Sequence, residues 1–169
     1  MFTLRAAKAA MVAAVALFAS LVAFDNVTDY GTNFAFVQHV LSMDTIYPSS
    51  TINYRAVTDP ALHHAAFALI IAMEIAVAVL CWAGAFVLVR HIRSDAHAFN
   101  RVKGVAVAGL LVGFLLWQVG FMSIGGEWFG MWMSAQWNGV PGAFRFVATI
   151  ALVLIFVAMP DGALRGPGG

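Results

Sequence analysis

The chain has 169 residues, of which 62% are hydrophobic and 10% charged, and its mean hydropathy is +0.88. Soluble domains are roughly 45–50% apolar, and a water-exposed fold of this size cannot hide the excess. A formal net charge of +1 carries no message about nucleic acid or acidic partners, and the single cysteine, Cys81, excludes an internal disulfide and the usual cysteine-built zinc and iron–sulfur frameworks.

A bilayer core of about 30 Å needs about 20 mostly apolar helical residues. Four windows of that kind occur in chain order: residues 4–24, 65–89, 104–124 and 142–159. Charge, proline or glycine bounds each of them. The first follows Arg5 and Lys8 as a signal peptide would, but "SLVAFDN" at its end has no small-x-small cleavage site, so an uncleaved span is expected. Cys81 falls within the second window and is expected in lipid or in a helix interface as a small hydrophobe. Alanine and serine recur four apart in the first span, and Gly109 and Gly113 form a GxxxG step in the third, which permits close backbone approach. The expected fold is all-α: one integral-membrane four-helix bundle over residues 1–169, with short amphipathic or re-entrant helical segments in the two outer loops.

Seven of the nine basic residues fall on one side of these spans: Arg5, Lys8, Arg90, Arg93, Arg101, Lys103 and Arg165. The positive-inside rule therefore makes residues 90–103 a cytoplasmic loop and puts both termini in the cytoplasm. Segments 25–64 and 125–141, with Arg55 as their only lysine or arginine, face outward. In the first of these, "TNFAFVQHVLSM" spaces Phe34, Val37, Val40 and Leu41 as on a helix behind a Thr32/Asn33 cap, and Asp59-Pro60 suits the start of the helix that enters span two. In the second, "GGEWFGMWMSAQWNG", Gly125-Gly126 reads as a break after span three. Trp128 and Trp132, four apart, would then share a helical face.

Ionisable groups inside a bilayer are costly and need a reason. Glu74, Gln118 and Arg145 all lie in the outer half of their spans, Glu74 near mid-membrane by residue count, while the inner halves offer little polarity. That asymmetry disfavours a through-pore. It leaves two readings: polar residues that pin helices together, or a dead-end pocket floored by Glu74 and roofed by the tryptophan hairpin. The pocket candidates are Glu74, Gln118, Arg145, Trp117, Glu127, Trp128 and Trp132. Arg145 would pair with Glu127 at its own level or bend inward to Glu74, and Glu74 would bond Gln118 if protonated. His63, Phe67, Glu74, Ala78 and Cys81 share one stripe of span two.

No span has an interior histidine, so a bundle haem with two inward axial histidines is not expected. His39, with His63 or His64, forms the minor candidate set for haem or copper at the outer surface, with Met131 or Met133 as soft ligands. P-loop, GxSxG, HExxH and GxGxxG signatures do not occur.

The segments "TDYGTNFAFVQHVLSMDT" (28–45), "HHAAFALIIAMEIAVAVLCWAGA" (63–85), "WQVGFMSIGGEWFGMWMSAQWNG" (117–139) and "AFRF" (143–146) together resemble the predicted small integral membrane protein family catalogued as domain of unknown function 2165. The resemblance implies bacterial origin and a four-helix inner-membrane protein, and brings no activity with it. From the residues, the leading expectation is a non-enzymatic interaction protein or accessory subunit of an inner-membrane complex. Its partners would be the bilayer and a protein or a second copy, with no nucleic acid and no cofactor. The alternative is an outer-face pocket for a lipid, quinone or haem, and a transporter is the third class.

Overall fold

A computed structural model describes residues 2–162; Arg165, counted above with the basic residues, lies outside them. Four helices are long and apolar enough to cross a bilayer: Phe2–Thr28, Pro60–Arg90, Ala96–Trp128 and Val140–Ala158. In chain order the elements are α1 (Phe2–Thr28), α2 (Tyr30–Ser42), α3 (Pro60–Arg90), α4 (Ala96–Arg101), α5 (Gly104–Leu115), a π-helical segment (Leu116–Trp128) that continues α5, and α6 (Val140–Ala158). Among the described residues no strand occurs.

Several boundaries differ from the sequence reading, each for a local reason. The first span runs four residues further, because Asp29 N–H bonds to Asp25 O at 2.8 Å and keeps the helical ladder going past two acidic side chains. Asn33 does not cap α2. It lies inside the helix and donates from Nδ2 to Asp25 Oδ2 at 3.0 Å, tying α2 back to the end of α1. The second span begins at Pro60, where Asp59 Oδ1 accepts from Ala61 N at 2.8 Å and proline sits in the first turn. Gly125-Gly126 does not end the third span. The helix passes through both in π geometry and breaks at Gly130, whose φ of 63° is a conformation that side chains disfavour. Trp128 and Trp132 therefore sit on different elements and share no helical face.

The sides of the bundle meet in the order α1–α3–α5–α6. The stripe of α3 expected to face one way is buried: His63, Phe67, Glu74, Ala78 and Cys81, with Val77, Gly84, Ala85 and Leu88. Leu69, Ile75, Val79, Trp82, Phe86 and Val89 of the same helix are exposed, an outward apolar surface suited to lipid. α3 and α5 approach to backbone distance. A Cβ on Gly84 would lie 2.6 Å from Ala106 Cα, and one on Gly109 would lie 2.8 Å from Cys81 Sγ and 2.9 Å from Cys81 N. Cys81 is thus an interface residue, fully buried, and Gly109 of the GxxxG step is the residue it packs on.

One end of the bundle is tied by a buried polar knot. The Asp161 carboxylate, just past α6, takes Lys103 Nζ at 2.7 Å, Lys8 Nζ at 3.0 Å and Arg5 Nε at 3.5 Å. Both lysines also donate to Met159 O, at 2.6 and 2.8 Å. Asn100 of α4 donates to Asp161 O at 3.0 Å and accepts from Asp161 N at 2.9 Å. Arg5 reaches Ile92 O at 3.1 Å and stacks over Phe99, its guanidinium carbon 4.6 Å from the ring centroid. The start of α1, the turn before α4, the start of α5 and the end of α6 are therefore clamped together at this basic end. The opposite end, which carries residues 29–59 and 129–139, is called the loop end. It has its own small apolar core of Val40, Met43, Phe129 and Met131, with Ile52, Val57 and Trp137 packed around it.

Replacing Gly109 by leucine should lower the stability of the detergent-solubilised protein by about 1–3 kcal/mol, because Cys81 backbone blocks the new side chain. Gly104→Ala, at a position with nothing within 4 Å, should leave the thermal midpoint unchanged or raise it. Asp161→Asn strands three cations and should cost on the order of 3–5 kcal/mol, read as a fall in midpoint. Burial raises the Asp161 pKa, but the hydrogen bonds and charges of Lys103 and Lys8 outweigh it and hold the carboxyl below the usual range. A lowered folded-state pKa contributes stability that is complete above the unfolded value of about 3.9 and is lost as pH falls through the folded value. The acid limb of the stability profile should accordingly lie below about pH 4 and flatten in Asp161→Asn.

Candidate functional site

Glu74 is 1% exposed. Counting 1.5 Å per residue places it about 24 Å along α3 from Arg90 and about 21 Å from Pro60. Its partner is not Gln118. Asn26, in the last turn of α1, donates from Nδ2 to both carboxylate oxygens, at 3.0 and 2.8 Å. A carboxylate offers about four acceptor sites, so this single amide leaves acceptor capacity free.

That capacity faces a cavity of about 440 Å³ between α1, α2, α3 and the π segment. Its polar lining is Asp25, Asn26, Asn33 and Glu74, two carboxylates and two amides with no lysine or arginine. Its walls include the rings of Phe18, Phe36, Phe67, Trp117, Phe121 and Phe146. Three of these rings interlock: Phe18 to Phe146 at 4.6 Å, Trp117 to Phe146 at 5.5 Å and Phe18 to Trp117 at 5.6 Å. Phe36, Val37, Ile70 and Phe121 are shared with a second, almost wholly apolar hollow of about 160 Å³ between α2, α3 and the π segment. An acidic, aromatic chamber thus adjoins an apolar one.

Of the sequence candidates, the structure brings Glu74 and Trp117 together and leaves the others apart. Gln118 is half-buried and makes no side-chain hydrogen bond among the described residues; its backbone carbonyl accepts from Ser123 Oγ at 3.0 Å, five residues on, as π geometry dictates. Arg145 is exposed at a groove on the far side of the Phe18–Phe146 pair, and the ion pairs among the described residues join it neither to Glu127 nor to Glu74. Glu127 is exposed. Trp128 carries Arg55 over its ring at 4.7 Å and accepts from Arg55 Nη1 through its carbonyl at 3.2 Å. Trp132 meets Tyr47 edge-on at 6.0 Å. The tryptophan hairpin therefore does not roof the Glu74 cavity. α2 does, through Asn33, Phe36 and Val37, because the hairpin is drawn away onto the loop-end core by Phe129 and Met131.

The three candidate histidines have separate partners. His39 Nδ1 pairs with Asp44 at 2.8 Å, and its ring stacks on Trp137 at 4.6 Å. His63 Nε2 bonds Val57 O at 2.7 Å. His64 Nδ1 meets the Tyr30 hydroxyl at 2.8 Å under a stacking contact with Phe34 at 4.1 Å. Among the described residues no group of three or more His, Cys, Asp or Glu side chains is arranged to hold a metal ion, and no histidine lines the Glu74 cavity.

Residue-by-residue reading missed Asn26, Asp25 and Asn33 because they lie beyond the expected end of span one. The signal was there: "FDNVTDY" contains no helix breaker, so the helix could carry Asn26 onward to the level of Glu74.

No curated protein and no solved structure matches the chain. One family model does, described as a predicted small integral membrane protein and matching residues 4–160, a range that takes in the cavity and nearly all of the four long apolar helices and stops one residue short of Asp161. By that match, and with a fold of the kind its description requires, the chain belongs to the predicted small integral membrane protein family DUF2165.

Proposed function

We propose that this chain is a non-enzymatic bacterial inner-membrane protein, both termini cytoplasmic, whose Glu74 cavity binds an organic cation or an amine-bearing amphiphile. The orientation is supported by the gathering of Arg5, Lys8, Arg90, Arg93, Arg101 and Lys103 at one end of the spans. The observation that carries the ligand class is the lining itself: a buried, incompletely bonded carboxylate with Asp25 nearby, no basic side chain, and six aromatic rings. Carboxylates supply charge and aromatic faces add cation–π attraction for a poorly hydrated ammonium. The adjoining apolar hollow suits the tail of such a molecule.

Isothermal titration of the purified protein with tetraphenylphosphonium, as a lipophilic cation probe, should show saturable binding that Glu74→Gln abolishes. Binding should also weaken on acidification, because a proton and the cation compete for the Glu74 carboxylate. Equal affinity in the wild type and Glu74→Gln would sink the reading.

A second reading, an accessory subunit in a larger complex, is favoured by the loop end, where Tyr47, Tyr54, Trp128 and Trp132 are all about half exposed or more around Arg55. Aromatic residues and arginine are the side chains enriched at binding hot spots. Gently solubilised membranes should then yield a stoichiometric partner that Tyr54→Ala with Trp132→Ala releases; a protein that purifies alone from such membranes, wild type and variant alike, rules this out.

A further inference from the structure

α1 and α6 touch at the basic end, where Lys8 bonds Met159 O, and again where Phe18 meets Phe146. Between those contacts they part, leaving an open groove of about 590 Å³. Its walls are apolar, Met11, Ala14, Val15, Ile150 and Val153, and its loop-side mouth holds Arg145 and Thr149. The Thr149 hydroxyl is spent on Arg145 O at 2.9 Å. Arg145 is the one charged residue of the lining, and its guanidinium enters no ion pair or hydrogen bond among the described residues. The side chain runs back along α6 toward the loop end, for a Cβ placed on Gly142 would lie 4.0 Å from Nη2.

An arginine in this position needs an anion. Counted from Val140, its Cα lies about 7 Å below the start of α6, and a guanidinium left bare at that depth is costly. By extending outward it reaches the level where lipid headgroups begin. Guanidinium and phosphate form paired charge-assisted hydrogen bonds. The groove below continues for about two turns of α6, down to Val153, and the one polar side chain it passes, Thr149, already has its hydroxyl bonded to Arg145 O. No carboxylate lies in the lining to receive the ammonium or choline of a zwitterionic headgroup.

We infer that the α1–α6 groove binds one anionic phospholipid of the loop-side leaflet, its phosphate on Arg145 and an acyl chain along Met11, Ala14, Val15, Ile150 and Val153. The site is separate from the Glu74 cavity, from which the Phe18–Phe146 pair divides it, and it stands whether or not that cavity binds a cation.

Native mass spectrometry of the full chain, delipidated in a non-ionic detergent and titrated with phosphatidylglycerol, tests this. The wild type should retain one phosphatidylglycerol in preference to phosphatidylcholine. Arg145→Gln should weaken retention at least about tenfold, as loss of a charge-assisted pair does, and Arg145→Lys should weaken it less. Ala14→Phe, which fills the groove and leaves Arg145 in place, should weaken it as well. Both altered positions are exposed, and an unchanged thermal midpoint in lipid-free detergent verifies the fold. The inference fails if Arg145→Gln retains phosphatidylglycerol as the wild type does, if phosphatidylcholine is held equally, or if inorganic phosphate displaces the lipid at matched concentration.

Discussion

Lipid tails are as apolar as leucine, so helices in a bilayer gain little from burying leucine against leucine. The bundle is held where something other than hydrophobicity acts. Along its length, that is backbone-close packing at Gly84 and Gly109. At the basic end, it is one carboxylate shared by two lysines and an arginine. At the level of Glu74, it is a single asparagine amide. Everything between these fixed points is free to be greasy, and the large exposed side chains of α3 are no liability in such a solvent.

The same constraint explains why polarity collects at two heights. A buried ion pair repays its desolvation only when further hydrogen bonds satisfy the remaining donors and acceptors. At the basic end Asn100 and the Met159 and Ile92 carbonyls do this for all but Arg5 Nε, making a nearly closed knot that ties the helix ends together. Around Glu74 the satisfaction is partial: Asn26 is there, but the opposite wall is rings. A closed polar network specifies structure, while an open one specifies a vacancy of particular chemistry. The contrast within one small protein is what distinguishes the knot as scaffold from the cavity as site.

Much of the architecture was legible in the residue order because a bilayer imposes coarse rules. Span length, charge asymmetry and the buried stripe from His63 to Cys81 all follow from periodicities that lipid enforces. The knot was half legible: Arg5, Lys8 and Lys103 were recognisable as a cluster of like charge, yet nothing local marks Asp161 as their common anion, since that depends on where α6 ends relative to α1. The π segment was not legible at all, because Gly125-Gly126 read as a break, and only the surrounding helices make continuation the better solution. That misreading displaced the tryptophan hairpin from its true neighbours, Arg55 and Tyr47, and assigned it a roof over Glu74 that α2 provides. Asn26 fell just outside a span drawn by hydropathy, which ends at the first acidic residues even where the backbone ladder does not.

Cys81 has one more consequence. The chain's only thiol is sealed between α3 and Gly109, out of reach of water-borne reagents from either face. To a sulfhydryl label the folded protein is therefore blank, so a single cysteine introduced at Tyr54 or Arg93 would be the sole reactive position and would report which compartment that end of the molecule faces.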